Sequence, residues 1–145
     1  MSEGEHHSRL VAALLEAMRS EFSESISTIY CDSPLDGRFL RPRLIGAIRP
    51  DIHLQCTCPP LTIVGEAKSA RDVDNLHTRS QLKEMLEHLT TVQEGLLWLA
   101  VPLAESGAAF RVANEVRRQL RADHVRFRVS GWLLGPNNYE RRWHG

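Results

Sequence analysis

Apolar positions recur along this chain with two different periods, and the switches between them mark its elements. Leu10, Val11, Leu14, Leu15, Met18 and Phe22 repeat at the three-and-four spacing of an amphipathic helix, expected from about His7 to Glu24 and laid on a sheet. Period two takes over from Ile26 to Cys31, a first strand favoured by β-branched Ile26, Thr28 and Ile29. Ser33, Pro34, Asp36, Gly37 and Pro42 make Asp32 to Pro42 a loop. The short apolar segment Leu44 to Ile48 leads into an alternating run, Asp51 to Gln55, and a hairpin through Cys56 to Pro60 returns the chain along Thr62 to Lys68. The helical period resumes with Leu76, Leu82, Met85, Leu86, Leu89 and Val92, capped by Asp72 or Asp74. Gly95 to Pro102 is nearly continuous apolar sequence, as expected of a strand buried on both faces that completes a strand, helix, strand crossover. Ala109, Val112, Ala113, Val116 and Leu120 form the stripe of a further helix, Val125 to Leu134 a last strand, and Gly135 to Gly145 a polar, loop-like tail. The order is that of a three-layer α/β domain, and 145 residues suit a single domain spanning residues 1–145.

Composition narrows the class without naming a chemistry. With 42% hydrophobic and 25% charged residues the chain reads as a folded soluble domain, and no segment approaches the roughly 18 apolar residues of a membrane span. The opening MSEGEHHSRL lacks the basic and then apolar order of a secretory signal, so a cytoplasmic location without membrane contact is expected. Cys31, Cys56 and Cys58 show no disulfide spacing; with His53 they offer a zinc set, a weak alternative because paired Cys/His knuckles are missing. Net charge is zero, which argues against coating nucleic acid by bulk attraction. The distribution is uneven: from Arg111 onward eight arginines face only Glu115, Asp123 and Glu140, whereas Pro50 to Phe110 carries eight acidic residues against four basic. Arginine-rich Arg38 to Arg43 adds a basic loop that could touch a nucleic-acid backbone. The chain has only two lysines, Lys68 and Lys83, beside sixteen arginines, so Lys68 is not a casual surface choice.

The candidate chemistry lies in Thr62 to Lys68, TIVGEAK. On an extended strand Glu66 and Lys68 share one face, about 6.6 Å apart along the chain. A neighbouring strand beginning at Asp51 would lie about 4.8 Å away. Two carboxylates and an amine can then converge, which fits a hard divalent cation held by the acids with an ammonium positioning a water. That is chemistry for hydrolysing a phosphate ester.

Pro50 and Asp51, fourteen intervening residues, and then Glu66, Ala67 and Lys68 resemble the PD-(D/E)xK nuclease superfamily, which includes type II restriction endonucleases, archaeal Holliday-junction resolvases and lambda exonuclease. The resemblance covers about Arg49 to Leu89. It implies a restriction-endonuclease-like core: a mixed β-sheet flanked by helices, in the order α-β-β-β-α-β plus a further α-β. It also implies Mg²⁺, with Mn²⁺ substituting, held by Asp51, Glu66 and the Ala67 backbone carbonyl. Lys68 would orient the attacking water, and Gln81, on the following helix, would hold a water or the phosphate. Many members add an acid, or in some branches a histidine, from the first helix. Glu21, beside Leu14, comes ahead of Glu16 on the opposite face, and His7, before the first apolar turn, is a further candidate. His77, four residues before Gln81, joins Arg49 and Arg43 as candidates for touching substrate. The implied partner is nucleic acid, DNA ahead of RNA, cut by a homodimeric endonuclease. Two other readings stand beside this one: a catalytically inactive nuclease-like binding or assembly module, and an ordinary α/β domain in which Glu66 and Lys68 form a strand-end ion pair worth at most about 1 kcal/mol.

Overall fold

The structure, a computed structural model, describes residues 3–33, 37–134 and 139–144. In chain order it runs α1 (Glu3–Phe22), β1 (Ile26–Cys31), β2 (Ile52–Thr57), β3 (Pro60–Ala67), α2 (Leu76–Leu89), β4 (Gly95–Pro102), α3 (Ser106–Gln119), β5 (Arg126–Leu134) and β6 (Tyr139–His144). The strands form one six-stranded sheet in sequence order. β1, β2 and β3 are antiparallel neighbours; β3, β4 and β5 are parallel, joined through α2 and α3; β6 returns antiparallel to β5. This is the mixed sheet flanked by helices that the sequence leads one to expect, in the expected order α-β-β-β-α-β-α-β with β6 added at its edge.

Strand alternation divides the interior in two. Leu61, Ile63 and Ala67 of β3 and Leu96, Trp98 and Ala100 of β4 face α1, packing with Leu10, Leu14 and Met18. Val64, Leu97, Leu99 and Val101 face the other way, against Leu82, Met85 and Leu86 of α2 and Val112 and Val116 of α3. Gly65 lets α1 come close: a Cβ there would stand 2.6 Å from Met18 Cε and 3.1 Å from Ile52 Cβ. The close approach carries the first turns of α1 to the end of β3.

Several boundaries differ from expectation. α1 begins at Glu3, ahead of His7, and ends at Phe22. The cap of α2 is Asn75, whose side chain accepts from Thr78 N at 2.8 Å, because Ala70–Asp72 is taken up in a separate 3-10 turn. Leu76 is 87% exposed and lies off the apolar stripe. Asn75→Ala is expected to cost about 1 kcal/mol, with Asn75→Asp close to neutral, a difference that denaturation midpoints resolve. The tail is not all loop: residues 135–138 and 145 lie outside the described residues, but Tyr139–His144 is a strand, pairing Leu134 with Tyr139 and Gly131 with Trp143. Its polar composition hid it, since an edge strand does not need alternation to be held by backbone pairing. Among the described residues no helix is long and apolar enough to cross a membrane.

Candidate metal centre

The register of the β2–β3 hairpin places the two acids together. Ile52 pairs with Gly65 and His53 with Val64, so Asp51 and Glu66 are the next residues beyond the last pair of the ladder. Thr62 and Lys68 donate their N–H groups to Glu94 and Ala100 on the β4 side, at 2.9 and 3.0 Å. The odd-numbered backbone groups of β3 therefore turn toward β2, Ala67 among them. Just before Asp51 the chain has a proline, which has no N–H to extend the ladder past Ile52. The Ala67 N–H is taken by Asp51 Oδ2 at 2.8 Å. Pro50 ends the ladder, and the carboxylate of the next residue folds over the exposed strand end.

From the other layer, His7 of α1 reaches the same carboxylate, with Nε2 3.3 Å from Asp51 Oδ2. One ligand atom each from His7, Asp51 and Glu66 lies within 4.8 Å of the other two, the one such grouping of three His, Cys, Asp or Glu side chains among the described residues. Glu66 Oε2 is buried with no hydrogen-bond partner, an orphaned acceptor of the kind a cation would satisfy. An imidazole nitrogen, two carboxylates and the Ala67 carbonyl make a donor set suited to a divalent metal.

The acids are electrostatically unlike. Burial, then the neighbouring Asp51 charge, pushes Glu66 well above the ordinary carboxylate range, with Lys68 opposing weakly. Burial would also raise Asp51, but hydrogen bonds from His7 and Glu66 outweigh it and hold Asp51 low. His7 is raised, first by its hydrogen bond to Asp51, against the effect of its own burial; the Ala67 backbone also favours its protonated form. Both shifts favour the protonated forms of Glu66 and His7, with which a cation competes. Metal binding is expected to release protons and to tighten as pH rises; calorimetry in buffers of different ionisation enthalpy measures the count. Zero proton release near pH 6 would place the metal elsewhere.

Lys68 Nζ donates to Gln81 Oε1 of α2, so the lysine and glutamine named from sequence meet beside the acids. Among the described residues Glu66 and Lys68 form no ion pair, and Asp51 stands on the same side as Glu66; the strand-end ion-pair reading is set aside. Glu21 does not join the cluster: it is held by Arg128 at 2.7 Å near the far end of α1. Glu16 is exposed on α1. The helix residue that does join is His7, one of the three sequence candidates. Its position ahead of the apolar stripe places it at the helix end nearest the end of β3. His77 is exposed and outside the cluster. Arg49 is turned to the Pro42 carbonyl, closing the preceding loop. Arg43 lines a separate cavity with Tyr30, His53 and His88. The zinc set is not assembled, since Cys31 and Cys56 are buried against α1 while His53 faces His88 on the other side. The basic C-terminal third is partly structural: Arg117 lies over Phe127 and Arg128 over Trp98, at 4.7 and 4.5 Å.

No protein-family model matches this chain, and no curated protein does. Among solved structures its fold is similar to that of SfsA from Pyrococcus furiosus, determined in complex with Ca²⁺, with a TM-score of 0.57 and 16% identity. The match covers 94% of this chain but 63% of that one, so this chain spans less than two thirds of the length of SfsA. What the two chains share is the fold.

Proposed function

We propose that this protein is a metal-dependent nuclease of the PD-(D/E)xK type, hydrolysing phosphodiester bonds in nucleic acid, DNA ahead of RNA. The observation that carries the reading is the meeting of His7, Asp51 and Glu66 at one strand end, with Lys68 and Gln81 alongside. His7, Asp51, Glu66 and the Ala67 carbonyl would hold the cation. When bound, it supplies Lewis-acid polarisation of a phosphoryl oxygen and lowers the pKa of water. Lys68 gives one N–H to Gln81 and keeps others for a water or a phosphate oxygen, so the amine fixes the direction of attack. Gln81 acts through the lysine by holding it in place. Ca²⁺ in the SfsA structure is a hard cation of the same broad class as Mg²⁺. Because an imidazole suits transition metals better than Mg²⁺, Mn²⁺ is expected to bind more tightly than Mg²⁺ while both support cleavage.

The test is incubation with linear, circular, single-stranded and branched DNA and with RNA, in Mg²⁺, in Mn²⁺ and with chelator. Cleavage that requires metal is the expected result. Metal binding without cleavage of any of these substrates would replace the nuclease by a binding or assembly module on the same fold. The reading includes a homodimer as the working unit, which sedimentation checks.

A further inference from the structure

The acids of the metal centre are nearly sealed: Glu66 is 4% exposed and Asp51 9%, while the His7 side chain keeps 39% of its surface. Of the three grouped residues, His7 is the one most open to solvent. On that side lies a cavity of about 420 Å³ between the first turns of α1 and the connection from β3 to α2. Its volume falls in the range of small-ligand pockets, roughly 300 to 1,000 Å³. Leu10, Ala70 and Pro102 give it apolar surface, and His6, His7 and Arg71 give it cationic or donor groups. The remaining lining residue, Ser69, turns its hydroxyl to Asp72 Oδ2 at 3.0 Å. Arg71 is exposed and enters no ion pair among the described residues.

Apolar walls beside an exposed guanidinium match the two halves of a nucleotide, a flat base or sugar face and a phosphate. We propose that this cavity seats one unpaired nucleotide next to the scissile phosphate, with Arg71 holding the adjoining phosphate, so that the substrate class is single-stranded or frayed nucleic acid. The proposal rests on the nuclease reading for the position of the scissile bond. A base still paired in a duplex has to leave its stack to enter, at a cost of a few kcal/mol. Strands that are already open do not carry that cost.

Two measurements separate this proposal from the nuclease reading. The first titrates thymidine 5′-monophosphate into the Mn²⁺-loaded protein, following broadening of the phosphorus resonance and the binding heat. Broadening is expected, with affinity about 10- to 100-fold weaker in Arg71→Glu. Absence of binding, or equal binding by the variant, would overturn the pocket whether or not DNA is cut. The second compares cleavage of blunt duplex, flapped duplex and single strands. Open strands are expected to be favoured by about tenfold or more in kcat/KM, with the Arg71→Glu loss falling on KM. Equal cutting inside blunt duplex would overturn the proposal and leave the nuclease standing. Arg71-dependent nucleotide binding with no cleavage of any strand would support the pocket and remove the nuclease.

Discussion

Glu66→Gln is expected to lower metal-dependent cleavage by about three orders of magnitude or more and, in the same protein, to raise the stability of the metal-free fold. The first effect follows from removing an anionic ligand from a centre whose cation stabilises charge in the transition state by several kcal/mol. The second follows from the position of Glu66, buried, beside Asp51, with Oε2 unpartnered. At neutral pH the unfolded chain carries an ionised glutamate, whereas burial and the neighbouring Asp51 charge disfavour that ionised form in the fold. Such a group opposes folding increasingly as pH climbs above the unfolded value of about 4.3, and the opposition vanishes below it, where both states are protonated. A glutamine has no such conflict, so a gain of about 1 to 3 kcal/mol is expected near pH 7, fading toward pH 4. Asp51→Asn should behave oppositely. The Asp51 pKa is lowered, so its contribution is present above the unfolded value and lost as pH falls through the folded one. Asparagine keeps an acceptor for Ala67 N but loses the charge that His7 bonds, and a cost of about 1 to 3 kcal/mol is expected. Adding Mn²⁺ should stabilise the parent and neither variant strongly. Thermal melts with and without metal, across pH, read all of this; cleavage at the parent rate by both variants would show that the site is elsewhere.

The opposed signs rest on features that were legible to different depths in the sequence. The meeting of Asp51 and Glu66 was readable, because Asp51 heads one alternating run and Glu66 ends the next, with a short turn between them. The role of Pro50 was only half readable: a proline at a strand end signals a missing donor, but which carbonyl it spares depends on the register. Lys68 and Gln81 were both named, yet their contact needed the path through the Ala70–Asp72 turn, whose geometry no periodicity encodes. His7 was hidden by its own neighbourhood. A histidine ahead of the apolar stripe looks solvated when the helix is read alone, and comes within reach of Asp51 only where α1 closes onto β3 at Gly65. Glu21 was favoured for its nearness to the stripe, but it sits toward the opposite end of a 20-residue helix, where Arg128 captures it. Helical periodicity reports which face turns inward; it does not report which end meets the site.

Lys68→Met separates a catalytic lysine from a merely structural one. If Lys68 directs the attacking water, its loss should fall on kcat, by about 10²- to 10⁴-fold, the range for a positioned proton-handling group. Metal affinity should stay within a few-fold of the parent, because the amine is bonded to Gln81 and a protonated lysine has donors but no acceptor to offer a cation. Removing the positive charge has two opposed effects on the metal. It spares the cation a repulsion, but it also lets Glu66 hold its proton more firmly, since Lys68 works to lower that group. Gln81→Leu should give a smaller loss, about tenfold, with KM little changed, because it removes only the hold on the amine. In Lys68→Met the additional change Gln81→Leu should then cost almost nothing, a non-additivity expected of two residues acting through one contact. Single-turnover rates on a cleavable oligonucleotide, paired with Mn²⁺ titrations of the same four proteins, test the scheme. Full additivity, or loss of metal binding in Lys68→Met, would show that the lysine serves the fold or the cation site rather than the water.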